Sequence, residues 1–186
     1  MPAAPPVFFY DLGDPECYLV AEQITPALGV VAEWEPVLGA DLGVPPRPAD
    51  PQEVAGRAAS LGLQPLRWPD RWPPDTRRAM LAATYAKRAG RTVSFSLAGF
   101  RQAFAAGRDL SQLDTVLIAA AACELHPSAV IKALELRSVR EALDAATSRA
   151  TAAEVAELPA ILIDGRLFAG SRALAEAAAE IGARAG

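Results

Sequence analysis

The chain has 186 residues, of which 52% are hydrophobic and 22% charged, with a net charge of −4. This is the composition of a folded globular protein, one domain or one domain carrying an insertion, and it excludes a disordered chain. No run of Lys or Arg exceeds two residues, so nucleic acid is excluded as a partner for want of an electrostatic footprint.

Cys17, Cys123 and His126 cannot make a disulfide framework, and without carboxylates they are too few for a zinc cage, so no metal is expected. The N-terminus has no basic start, and its apolar run, Val7 to Tyr10, is too short for a signal peptide. The longest apolar stretch, Val116 to Cys123, falls far below the ~20 residues that cross a bilayer. A cytoplasmic protein with no membrane partner is therefore expected.

Val7-Phe8-Phe9-Tyr10 is a continuous aromatic and β-branched run, the pattern of a strand buried on both faces. Asp14-Pro15 is an N-cap followed by a proline at the first helical position, which opens a helix from about Pro15 to Leu28 that stops near Gly29. Val30 to Val37 reads as the next strand, so residues 7–37 form a strand–helix–strand unit. The stretch 44–51 is a proline-rich connector. Helices are expected over Gln52–Leu61, Thr76–Ala89 and Ser94–Ala106, with the loop Leu63–Asp75 carrying Trp68-Pro69 and Trp72-Pro73-Pro74.

Ser111 to Asp114 resembles a capping box and opens a helix to Leu125; Ser138 to Glu141 matches one and opens another, striped by Val139, Ala142, Leu143, Ala146 and Ala150. His126, before Pro127, belongs at a helix junction in a capping or surface role, and Cys123, ending an apolar helix face, belongs in the core. Ala160 to Ile163 is a strand, Asp164-Gly165 a two-residue hairpin signal, and Arg166 to Phe168 its return; Ser171 then caps a last helix to about Ala183. The order β-α-β, helical block, α, β-β-α is that of an α/β thioredoxin-like fold with an inserted all-helical domain. The expected division is 1–43 and 137–186 for the thioredoxin-like domain and 44–136 for the insertion.

Specific stretches carry a family likeness. They are Phe8-Phe9-Tyr10-Asp11 through Leu19, Trp34 to Ala40, Arg67-Trp68-Pro69 through Thr76, Phe100 to Leu110, Leu158-Pro159, and Leu167 to Gly170. Together and in this order they resemble the DsbA-like thioredoxin superfamily, most closely its 2-hydroxychromene-2-carboxylate isomerase and kappa-class glutathione transferase branch. The resemblance implies a site at the N-terminus of the first helix, where unpaired N–H groups and the helix dipole favour a thiolate. It also implies a cis proline, Pro159, facing that site, and a homodimer.

The sequence departs from the family's pattern in instructive places. The position that is a nucleophilic Cys or a Ser in relatives is Asp14, while the second cysteine position keeps Cys17. Disulfide exchange of the C-x-x-C kind is therefore discarded. The family's Asp for the glutathione ammonium aligns with Arg172, and a family Asn aligns with Asp75. A carboxylate at residue 14 would repel a bound thiolate, and Arg172 would repel an ammonium.

Asp14 is expected to be ionised at pH 7 unless deeply desolvated, because the dipole lowers its pKa. Asp14 and Cys17 are then the candidate catalytic residues, and Tyr18, Trp68, Trp72, Asp75, Leu158, Pro159, Ser171 and Arg172 the candidate substrate-binding ones. Each has a plainer alternative: Asp14 as an ordinary N-cap, Cys17 as a structural thiol, the tryptophans as packing for the insertion, Pro159 as a trans turn proline.

The favoured function is an isomerase-like enzyme for a small aromatic or conjugated substrate, with Asp14 as general base under a tryptophan–proline lid and Arg172 holding a carboxylate or enolate. No cofactor is certain. The alternatives are an isomerase or transferase dependent on glutathione or another low-molecular-weight thiol, and a catalytically inactive binding or scaffolding protein.

Overall fold

The run Val7–Tyr10 is strand β1, and its interior position follows from having no polar alternation: Phe8, Phe9 and Tyr10 are all buried. The computed structural model describes residues 4–43 and 50–185; most of the proline-rich connector, 44–49, lies outside them. After β1 come α1 (Pro15–Ala21), α2 (Ile24–Leu28), β2 (Glu33–Pro36), a 3-10 helix (Gly39–Leu42) and α3 (Pro51–Ser60). Helices α4 (Arg77–Arg88), α5 (Thr92–Phe104), α6 (Leu113–Ala121), α7 (Pro127–Glu135) and α8 (Arg137–Ala152) follow. Strands β3 (Ala160–Ile163) and β4 (Arg166–Ala169) and helix α9 (Ala173–Ala185) complete the order.

The sheet runs β2-β1-β3-β4, with β1 parallel to β2 and antiparallel to β3. This is the thioredoxin-like arrangement, with the helices between α3 and α8 set into it. Asp164 and Gly165 both have positive φ, as the two-residue hairpin between β3 and β4 requires. No helix among the described residues is long and apolar enough to cross a membrane.

Local chemistry explains where the elements depart from expectation. The helix expected from Pro15 to Leu28 is two helices. Gln23 Nε2 donates to Leu19 O at 2.8 Å, taking the carbonyl that the next backbone N–H would use, and Pro26 has no N–H with which to continue the ladder. The second piece ends on Gly29 in the left-handed conformation. β2 is shorter than expected because Val30 and Val31 are exposed.

Neither expected capping box forms. α6 opens at Gln112, while Ser111 turns back to Asp109; α8 opens at Leu136, and Ser138 Oγ accepts from Arg88 at 3.1 Å. α7 is an additional helix. It begins at His126, whose Nδ1 accepts from Ser128 N–H, with Pro127 at the first helical position. α9 starts at Ala173, with the Arg172 carbonyl accepting its first turn.

One face of β1 joins the sheet to the helical block. Phe8 and Tyr10 lie 5.3 Å apart on that face, both meet Trp34 of β2 edge-on, and Tyr10 reaches Phe100 of α5. The buried Tyr10 hydroxyl pairs with Ser96 Oγ of α5 at 2.6 Å. Tyr10→Phe strands the Ser96 hydroxyl without a partner, so a loss of about 1–3 kcal/mol is expected in urea unfolding. Tyr10→Phe/Ser96→Ala removes both groups and should recover part of that loss; additive losses would show that the bond does not couple the two elements.

Candidate active site

The site is built around the turn between β1 and α1. Asp14 is the N-cap of α1: its Oδ1 accepts from Glu16 N–H at 2.8 Å and from Cys17 N–H at 3.0 Å. Pro15 brings no N–H, and Tyr18 N–H goes to the Asp14 carbonyl. The donors that a helix N-terminus offers an anion are thus already filled by the chain's own carboxylate.

Asp11, one turn earlier, is only 7% exposed and accepts three hydrogen bonds. They come from Gly13 N–H at 2.9 Å, Gly39 N–H at 2.9 Å and Thr76 Oγ1 at 3.0 Å. The turn must also approach Thr76 closely: a Cβ on Gly13 would stand 2.5 Å from Thr76 Cγ2.

These segments enclose a cavity of about 230 Å³. Asp11, Gly13 and Asp14 form one wall; Leu38, Gly39 and Ala40 after β2 form the second; Pro74, Asp75, Thr76 and Arg77 form the third, with Leu158 closing it. A second cavity of about 200 Å³ shares Asp14 and Leu158 and adds Glu16, Asp50, Glu53, Arg57, Glu157 and Ser171. In it Arg57 Nη1 lies 2.6 Å from Glu16 Oε1, and Arg57 Nη2 donates to Ser171 O at 3.4 Å. Among the described residues, no group of three or more His, Cys, Asp or Glu side chains is placed to hold a metal ion.

Burial overrides the dipole at Asp14. The side chain is 8% exposed, and desolvation pushes its pKa from 3.8 up to about 7, against the pull of Cys17 N–H and with a push from Asp11. The expectation of an ordinary ionised carboxylate is corrected accordingly: near neutrality Asp14 exists in both forms. Desolvation likewise raises Asp11, opposed by its three donors. Cys17 is fully buried, and desolvation followed by the Asp14 charge raises its thiol well above the usual range. Both its burial and its raised pKa disfavour the thiolate form.

The other expected site residues divide. Asp75 and Leu158 line the first cavity, and Ser171 lines the second. Pro159 follows a cis peptide bond, as the resemblance implies, and is buried, its carbonyl accepting from Gly170 N–H at 2.8 Å. Tyr18 is placed elsewhere, in the core between Phe100 and Phe104. Trp68 and Trp72 pack edge-on against each other, Trp68 also against Phe104, and neither lines the cavity. The cover comes from Pro74, the last proline of that loop.

Arg172 is corrected as well. Its side chain is 84% exposed beside Glu176, and it lines neither cavity. The arginine that lines the first cavity is Arg77, and the one that lines the second is Arg57. Asp11, Thr76, Arg77 and Arg57 carry no local motif. Only the Tyr10-Asp11 stretch and the segment ending at Thr76, both within the family likeness, point toward them.

Comparison with known proteins bears on the family and the fold. The model of the DSBA-like thioredoxin domain matches residues 7–182. The chain belongs to that family. No curated protein sequence matches it.

Among solved structures, this DSBA-like chain is similar to 2-hydroxychromene-2-carboxylate isomerase, with TM-score 0.85 and 16% identity over 98% of this chain and 96% of that one. A probable DsbA oxidoreductase from Streptomyces coelicolor gives TM-score 0.81 and 18% identity over 96% and 88%. The oxidoreductase DsbA from Xylella fastidiosa gives 0.64 and 14% over 98% and 87%. At these identities the likeness is one of fold.

Raising a carboxyl pKa on folding makes stability fall as pH rises. Below 3.8 Asp14 is protonated in both states; between 3.8 and about 7 only the folded chain keeps the proton; above about 7 the full penalty of a buried charge is present. From pH 5 to pH 8 Asp14 should therefore remove roughly 2–3 kcal/mol from the unfolding free energy. Asp14→Asn keeps an oxygen for the cap and should lack that loss in urea unfolding at the two pH values; equal slopes for the two proteins would refute the raised pKa.

Proposed function

We propose that the protein is an isomerase-like enzyme of the DsbA family, acting by proton transfer on a small aromatic or conjugated substrate. The observation that carries this reading is a carboxyl group poised near neutrality on the wall of an open cavity. Asp14 Oδ1 is held by the helix N-terminus, while Oδ2 has no hydrogen-bond partner among the described residues. As the base, Asp14 takes a proton from an acidic carbon of the substrate. The electron pair moves into the conjugated system, and the protonated carboxyl returns the proton at the far end. Leu38, Ala40, Pro74 and Leu158 supply apolar wall for a flat body.

The likeness in fold to 2-hydroxychromene-2-carboxylate isomerase supports the reaction class. The rival dependence on glutathione or another thiol is disfavoured by the donors already occupied by Asp14 and by the charge it carries above neutrality. An inactive scaffold is disfavoured by a cavity that its own side chains leave open. A cytoplasmic homodimer, with the helical insertion bounded at 44 and 136, completes the proposal.

The test is turnover of 2-hydroxychromene-2-carboxylate and related conjugated acids, followed by absorbance, with and without glutathione. Turnover should need no thiol and should rise through about pH 7 as Asp14 ionises. Asp14→Asn should lower kcat by roughly 10²–10⁴-fold. Full activity in Asp14→Asn, or an absolute need for glutathione, would overturn the proposal.

A further inference from the structure

The charges around the first cavity are ordered by depth. Asp11 and Asp14 are almost wholly buried at its inner end, whereas Asp75 and Arg77 are exposed at its mouth. Between them lie the apolar walls formed by Leu38, Pro74 and Leu158. Arg77 is the one cation among the lining residues.

Its guanidinium is only partly used. Nη2 donates to both oxygens of Asp41, at 3.1 and 3.0 Å, and the side chain is 48% exposed. Nε and Nη1 carry no partner among the described residues. Asp75 Oδ1 accepts the Arg77 backbone N–H at 3.0 Å, which fixes the start of α4 at this wall without engaging the guanidinium.

Both two-donor edges of a guanidinium, Nε with Nη2 and Nη1 with Nη2, include the nitrogen that Asp41 engages, so a carboxylate at the open end of the apolar slot gains two parallel N–H bonds by displacing Asp41. An acid bound there lays its conjugated body along the apolar walls and brings its far end toward Asp14. We propose that Arg77 is the specificity-determining residue of the cavity, selecting substrates that carry a carboxylate at the end opposite the reacting carbon, and that Asp41 competes with that carboxylate for it. The proposal rests on the cavity's being the substrate site, as argued above, but not on Asp14's being the base.

The competition gives a signature that a merely structural Arg77–Asp41 ion pair cannot produce. If the pair only stabilised the fold, removing either partner would act in the same direction. As a selector held in reserve, the two partners must act in opposite directions.

The experiment is calorimetric titration at pH 6 with trans-cinnamate and with its neutral isostere trans-cinnamamide, neither of which has to react. Wild type should prefer the anion. Arg77→Met should weaken cinnamate about tenfold and leave the amide unchanged, while Arg77→Lys should retain a preference for the anion. Asp41→Asn should tighten cinnamate about two- to fivefold, the worth of an exposed ion pair.

Thermal melts of each variant establish that it is folded. Changes of the same sign in Arg77→Met and Asp41→Asn, no change in either, or no binding of cinnamate by wild type would each overturn the proposal. Loss of turnover in Asp14→Asn with cinnamate selection intact would leave Arg77 as selector. Normal turnover in Asp14→Asn would remove the base and not the selector.

Discussion

A single buried carboxylate holds the candidate site together. Asp11 takes one donor from its own turn, one from the loop after β2 and one from the residue before α4. Those three segments are the three walls of the cavity. A buried acceptor with three donors has little freedom, because withdrawing any wall would leave a buried polar group unpaired. Gly13 completes the constraint by leaving room for Thr76 where a side chain would collide. Asp14 can therefore be both buried and directed, since the turn that carries it is tied on both sides.

Asp14 shows how one side chain sets the chemistry of a helix N-terminus. The dipole there is worth under ~1 kcal/mol at an exposed site, and desolvation outweighs it, lifting the carboxyl to about 7. The same carboxylate consumes the N–H groups of Glu16 and Cys17, which would otherwise hold an external anion. It also raises the thiol of Cys17 behind it. One residue thus fills the donors that an external anion would use and places a titratable carboxyl on the cavity wall.

What could be read from the sequence was what is encoded locally. The buried run Val7–Tyr10, the Asp14-Pro15 cap, the His126-Pro127 junction and the Asp164-Gly165 turn are short-range signals, and each is found in place. The helix break at Gln23 escaped because it depends on a side chain competing for a backbone carbonyl. The capping boxes at Ser111 and Ser138 failed because Asp109 and Arg88, respectively, offered those serines better partners.

In the site, Asp14 and Leu158 could be named from the family likeness, and Asp11 and Thr76 lay within its stretches without a role, whereas Arg57 and Arg77 lay outside them. Their significance comes from distant segments meeting, and no spacing in the chain records it. Trp68, Trp72 and Tyr18 were misleading for the complementary reason. Large aromatics suit a pocket and a core equally, and here Phe100 and Phe104 claim Tyr18, Phe104 claims Trp68, and Trp72 packs on Trp68.

The division of labour between the two parts of the fold follows from the same geometry. The β1–α1 turn and the loop at Leu158 belong to the sheet end of the molecule, and they supply the carboxyl that titrates. The segment Pro74–Arg77 leads into the helical block and supplies the cover and the cation at the mouth. The sheet's position is fixed by the buried residues of β1 and β3, so the β1–α1 turn cannot move far without disturbing the core. The mouth is exposed, and its arginine is shared with an exposed aspartate, so its side chains can change at small energetic cost. A chain built this way can keep its acid–base group while altering what enters. On the proposed function, substrate choice is expected to vary through residues 74–77 and 41 more readily than the reaction itself, because the turn that carries Asp14 is tied by Asp11.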